Sequence, residues 1–200
     1  MKVVYLDIET QHLFNEFEGG QKNKSNINKL KIAVAGTINS EEGSYKTFGE
    51  ERVEGLIRYL NRFDRIVGYN IFGFDYKVLG SYFQYPEAIL GTRQAGIISK
   101  TFDVMLEFSH IVNKQYNKDV SWVKLDDIAQ RNFGMQKPID GLLIPGMWRN
   151  GKREEVKSYV LNDLKMTERF YLAGIDGATL RYEHSLYGKS EGEKEIYIKW

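Results

Sequence analysis

No cysteine occurs among the 200 residues. That excludes disulfides, cysteine-ligated zinc and a thiol nucleophile. The three histidines, His12, His110 and His184, are far apart in the sequence, which argues against a multi-histidine metal centre. Oxygen ligands remain, and these suit magnesium, manganese or calcium. Net charge is also scarce: 28 basic residues against 27 acidic ones leave +1. No global positive field follows, so a nucleic-acid partner would be held by local patches. No apolar run approaches the ~20 residues of a membrane-spanning helix. Asp7 interrupts what would be the apolar segment of a secretory leader. The expectation is a soluble, intracellular (cytoplasmic) protein with no membrane partner. No Gly-x-Gly-x-x-Gly follows the first strand pattern and no P-loop occurs, which removes the common nucleotide-phosphate cradles.

What is present suits one compact α/β domain. Hydrophobic residues make up 42% of the chain, enough for a single sizeable core, whereas two domains would leave each core thin. Residues 3–8 form a nearly continuous β-branched and aromatic run, as in a buried central strand. Residues 30–38 and 44–48 read as further strands, 66–69 as a short strand ending at Asn70, and 100–105 as another. Residues 21–28 are polar and read as a loop. Helical spacing marks 52–63, through Val53, Leu56, Ile57 and Leu60. It also marks 75–83, 124–133 and 154–173, the last with Val156, Tyr159, Val160, Leu164 and Phe170 on its inner side. Residues 135–150 hold prolines and glycines and read as a long loop. Residues 181–187 and 195–200 read as a hairpin around 188–193. Early antiparallel strands followed by alternating helices and strands predict a mixed sheet flanked by helices rather than a fully parallel one.

Three segments carry candidate chemistry. Asp7 and Glu9 lie two apart on the first strand, so their side chains share a face. Two adjacent carboxylates repel and raise each other's pKa, a penalty that a divalent cation removes. Asn70 and Asp75 bracket Asn-Ile-Phe-Gly-Phe-Asp between a strand end and a helix start. Tyr159 and Asp163 lie one turn apart on the longest helix and project from one side. Each has a plainer reading alone: a solvated strand end, a turn residue with a helix cap, and a core tyrosine beside a surface acid.

In this order the segments Asp-x-Glu, Asn-x-x-x-Phe-Asp and Tyr-x-x-x-Asp resemble the signature of the tyrosine-type four-carboxylate (DEDDy) 3′–5′ exonucleases of the DnaQ-like superfamily. The same pattern occurs in the proofreading domains of family B DNA polymerases. The histidine subclass carries a histidine five residues before the last Asp, where this chain has Ser158. The stretch Trp148-Arg149-Asn150-Gly151, through Glu154-Glu155 to Tyr159 and Asp163, is similar to helicase-associated ribonuclease-H-like exonucleases.

The resemblance implies a ribonuclease-H-like fold and two divalent cations, Mg²⁺ or Mn²⁺, held by Asp7, Glu9, Asp75 and Asp163, with Tyr159 orienting water. It implies hydrolysis at the 3′ end of single-stranded nucleic acid, DNA favoured. An exoribonuclease and a catalytically inactive nucleic-acid-binding module are the alternatives, and a helicase or polymerase is the implied protein partner. The chain then reads as one exonuclease domain over 1–200, with a catalytic core over about 1–175 and a C-terminal hairpin over about 178–200. Thr10, Leu13 and Phe14 follow the metal strand and are expected, with Asn70, to meet the substrate. Leu13 and Phe14 would stack on the terminal base, although ordinary burial of both is an equal reading. Lys22, Lys24 and Lys29, in a stretch without acids, would hold phosphates, or form a solvated loop. Asp103 fits no motif and stands as a residue behind the site. His12 faces the cleft without assigned work.

Overall fold

A computed structural model describes residues 1–116, 123–186 and 189–200. The described residues form a five-stranded mixed sheet in the order β3-β2-β1-β4-β6, flanked by helices, and a separate two-stranded hairpin. The strands of the large sheet are β1 (Val3–Thr10), β2 (Ile32–Asn39), β3 (Ser44–Phe48), β4 (Arg65–Gly68) and β6 (Thr101–Asp103). The short β5 (Gly91–Thr92) folds back on residues 95 and 96. β1, β2 and β3 are antiparallel neighbours, while β4 and β6 run parallel to β1. The helices are α1 (Val53–Leu60), α2 (Asp75–Gly80), α3 (Pro86–Leu90), α4 (Gly96–Ser99), α5 (Val104–Tyr116), α6 (Leu125–Phe133), α7 (Ile144–Arg149) and α8 (Arg153–Asp176). The hairpin is β7 (Ala178–Leu186) with β8 (Lys189–Ile198).

Side-chain alternation on β1 divides the core into two layers. Val3 and Tyr5 face α8 and pack with Val160, Leu164 and Phe170. Val4, Leu6 and Ile8 face the other way, against Leu56 and Leu60 of α1 and Leu79 of α2. Every residue of β2 is buried, as its small-residue sequence Ile-Ala-Val-Ala-Gly-Thr-Ile-Asn permits. The hairpin joins the α8 layer through Tyr182, whose ring meets Phe108 of α5 edge-on at 5.4 Å. Trp200 closes the same side, its indole donating to the Tyr171 carbonyl at 2.9 Å.

Several expectations are corrected. Residues 21–28 are not an open loop: the chain makes 3₁₀ turns at Gly20–Lys22 and Lys24–Lys29. The buried Asn26 holds them, donating to the Glu18 and Gly20 carbonyls at 3.0 and 2.8 Å. The strand expected over 100–105 stops at Asp103, and the helix α5 follows without a break. Its buried residues, Val104, Phe108 and Val112, recur every four residues. The long loop expected over 135–150 contains the 3₁₀ turn Gly141–Leu143 and α7. Pro145 sits in the first turn of α7, where a missing N–H costs nothing, so the proline begins a helix rather than excluding one. α3 and α4, of five and four residues, are too short to show a helical period in the sequence. The hairpin strands are longer than expected, and most of the anticipated turn, residues 189–193, is strand. The part of that expectation on Tyr187 and Gly188 lies outside the described residues.

Candidate metal and active site

Asp7 and Glu9 occupy the α8-facing side of β1 near its C-terminal end. β1 pairs with β2 from Val4 to Thr10 but with β4 only from Val3 to Tyr5. Beyond Tyr5 the β4-facing edge of β1 is open, because β4 ends at Gly68 and the chain leaves through Asn70 at φ 59°. A Cβ at Gly68 would stand 2.9 Å from Ile71 and 3.1 Å from the Leu6 carbonyl, so this exit needs glycine. Asp75, the first residue of α2, enters the opening. Its Oδ1 accepts the Ile8 N–H at 2.8 Å, satisfying a backbone donor that β4 does not reach.

From the other side comes α8. The cross-strand partner of Asp7 is Gly36. A Cβ at 36 would overlap Val160 and stand 3.1 Å from Leu164. The bare glycine lets α8 lie against the sheet at that level. One carboxylate oxygen from each of Asp7, Glu9 and Asp163 then falls within 4.8 Å of the others. These three residues form a set that can hold a metal ion. Asp7 Oδ2 and Asp163 Oδ1 are buried and accept no hydrogen bond among the described residues. Buried acceptors normally have partners, and a divalent cation is the partner this donor set fits, since its ligands are all carboxylate oxygens.

The electrostatics follow from this crowding. The Asp7 carboxyl is pushed up to about 7, first by burial and then by the Asp163 charge, with Lys137 acting the other way. Glu9 and Asp75 are held well above the usual carboxylate range, by burial first and then by the charge of Asp7. Burial also raises Asp163, against the pull of Lys137.

Lys137 is the residue that sequence reading missed. Its ammonium donates to Asp163 Oδ2 at 2.5 Å and to the Tyr159 hydroxyl at 2.9 Å. Burial alone would lower the lysine pKa, but Asp163 and Tyr159 outweigh it and keep the ammonium charged. The Tyr159 hydroxyl is raised by burial and by Asp163, against Lys137, and therefore stays protonated at neutral pH. Lys137 sits between α6 and the Gly141 turn, in a segment without periodicity. No local pattern distinguishes it from a surface lysine.

The carboxylates, Tyr159 and Lys137 line a cleft of about 490 Å³, with Asn70, Phe74 and Leu142 also on its walls. Asn70 donates its backbone N–H to Asp103 Oδ1 at 2.9 Å, and Phe72 donates to Oδ2 at 3.2 Å. Asp103 thus holds the Asn70 turn from behind, its carboxyl raised by burial and partly offset by these backbone donors. Phe14, Lys24 and Asn70 line an adjoining cavity of about 430 Å³. Thr10 is buried and its hydroxyl donates to the His12 carbonyl at 2.9 Å. Leu13 is half-buried ahead of a 3₁₀ turn. Lys22 and Lys29 are exposed outside the adjoining cavity, and the Lys29 ammonium stands 5.4 Å over the Phe17 ring. His12 Nδ1 pairs with Glu16 at 2.9 Å and lies 3.3 Å from Arg149.

The mixed sheet, the flanking helices and the terminal hairpin are those of a ribonuclease-H-like fold. No protein-family model matches the chain, and no curated protein matches it. Among solved structures, it is similar to the family B DNA polymerase of the hyperthermophilic archaeon Pyrobaculum calidifontis. The TM-score is 0.58 at 20% identity, covering 86% of this chain and 24% of that one. The likeness is one of fold, and the chain spans about a quarter of the polymerase's length. Among the described residues no helix is long and apolar enough to cross a membrane.

Proposed function

We propose that this protein is a metal-dependent 3′–5′ exonuclease acting on single-stranded nucleic acid, DNA in preference to RNA, with the 200 residues working as one domain. The observation that carries this reading is the meeting of Asp7, Glu9 and Asp163 around two buried oxygens that have no partner among the described residues, with Tyr159 one turn from Asp163. The fold likeness to a DNA polymerase supports a nucleic-acid substrate.

Asp7, Glu9, Asp75 and Asp163 would hold two divalent cations, Mg²⁺ or Mn²⁺. Such ions supply a lowered pKa for an attacking water and neutralise charge at the scissile phosphate and leaving oxygen. The chain's own groups do the positioning. Lys137 donates to the Tyr159 oxygen, which leaves the phenolic proton free to hydrogen-bond a water beside the scissile phosphate. A tyrosine whose pKa is raised orients water rather than accepting its proton. Lys137 also sets one Asp163 oxygen in place, so that the other stays free for a metal. Asn70, fixed by Asp103, would bond the terminal nucleotide. Phe14 would stack on a base, while Thr10 and Leu13, outside the lining of both cavities, would act by holding the segment that carries it. Lys24, helped by the outer Lys22 and Lys29, would attract the backbone. A helicase or polymerase is the fitting partner.

The test is digestion of 3′- and 5′-labelled single strands of DNA and RNA with Mg²⁺, Mn²⁺ or EDTA. The reading requires mononucleotide release from the 3′ end, abolished by EDTA. Binding without any hydrolysis would leave a nucleic-acid-binding module instead.

A further inference from the structure

The carboxylate cleft does not end at Asn70. Asn70 and Phe74 also line the adjoining cavity that holds Phe14 and Lys24. That cavity in turn shares Ile27 and Lys77 with a third, of about 540 Å³. Shared walls thus join the three into one series, from β1 over α2 to α3 and α4. Its far section is walled by Phe72, Tyr76 and Leu90. Lys24 and Lys77 are exposed along it, and Arg93 lies 4.4 Å over the Phe72 ring. Glu87 is the one acid among the residues lining the second and third cavities. Apolar side chains along a groove with cations beside them suit a single strand: apolar contact for bases, positive charge for phosphates.

We infer that this series of cavities is one trough, the path of the strand upstream of the scissile bond. It rests on the exonuclease reading for its direction, with the 3′ end at Asp7. Phosphates pass Lys24 and Lys77, and a base several nucleotides back enters the apolar section beside Phe72. Duplex DNA, with its bases already paired and stacked, cannot use that section, so the trough selects single strands over duplex.

The experiment measures fluorescence anisotropy of 5′-labelled oligothymidylates, from dinucleotide to dodecamer, with non-hydrolysable 3′ linkages. Cleavage of unmodified dinucleotide is followed in parallel. Affinity should rise with length and then level once the trough is filled. Lys77→Glu should weaken the dodecamer about tenfold and flatten its salt dependence, since a phosphate contact is lost. Glu87→Lys should tighten it. Glu195→Lys, the same charge change on the exposed face of β8, should not tighten binding.

Equal tightening by Glu87→Lys and Glu195→Lys would mean attraction by net charge alone and would overturn the path. So would an unaltered dodecamer affinity in Lys77→Glu with its melting temperature intact. Length-dependent binding that responds to both trough variants, but with no cleavage of any length, would uphold the path and remove the exonuclease instead.

Discussion

Gly36→Ala tests how the fold builds the site. The added methyl would overlap Val160, stand 3.1 Å from Leu164 and 3.3 Å from the Tyr45 ring, against ordinary carbon contacts near ~3.5–4.0 Å. Val160 and Leu164 are fully buried, and Tyr45 is tied down by its hydroxyl's bond to the Lys157 carbonyl at 2.8 Å. None can yield freely, so α8 must move away from β2. Overpacking of this kind costs about 1–3 kcal/mol. For a chain of this length that is a fall in Tm of roughly 2–4 °C per kcal/mol. The larger effect falls on the site. Asp163 lies between Val160 and Leu164, so a shift of α8 carries it from Asp7 and Glu9. A misplacement of ~1 Å can cost about a hundredfold in rate. The assay pairs thermal melting in EDTA with Mn²⁺ binding by electron paramagnetic resonance and with single-turnover cleavage. Gly36→Ala should melt a few degrees lower, bind Mn²⁺ more weakly and cleave about a hundredfold slower. Wild-type Mn²⁺ affinity in a folded variant would refute the argument that this glycine sets the distance between helix and strand.

Four further outcomes are expected. Asp7→Asn should fold but lose at least about a thousandfold in rate, equivalent to ~4 kcal/mol of transition-state stabilisation; near-normal cleavage would remove Asp7 from the metal site. Tyr159→Phe should lose about a hundredfold, in kcat rather than KM, at unchanged Tm; equal rates would make Tyr159 a core residue only. Lys137→Met breaks a largely buried pair and should lower metal-free stability at pH 7 by roughly 3 kcal/mol, and an unaltered urea midpoint would contradict that. The pH dependence has a definite sign, because the folded pKa of Asp7 lies above its unfolded value. The folded state then binds more protons over pH 4–7, and stability falls as pH rises. In EDTA the stability of wild type relative to Asp7→Asn should therefore decline from pH 4 to pH 7, whereas a flat difference would contradict the raised carboxyl.

The amino-acid sequence by itself determined the elements that carry the site. The run from Val3 reads as a buried strand because its composition allows little else, and period two places Asp7 and Glu9 on one side of it. The helical spacing around Tyr159 and Asp163 puts them on one side of α8. These are local consequences of backbone geometry, and any segment with that pattern obeys them. The hairpin was likewise legible, though its length was not. Its strands are polar enough over residues 189–193 to look like a turn, and pairing across the hairpin makes them strand. α7 escaped for a related reason, since a proline at the first turn of a helix looks locally like a breaker.

Tertiary structure alone decided which groups meet. Lys137 reaches Asp163 and Tyr159 across gaps of 26 and 22 residues, a distance over which no periodicity operates. Gly36 has no signal of its own, and its role exists only once Asp7 pairs with it and α8 crosses above. The lysine stretch read as one group divides in space, with Lys24 facing the trough and Lys22 and Lys29 turned outward, because Asn26 folds the segment into tight turns. Local sequence fixes the direction of a side chain relative to its own backbone. What stands opposite depends on how separate elements pack, and here that packing raises the carboxylates' pKa values and leaves two of their oxygens without partners among the described residues.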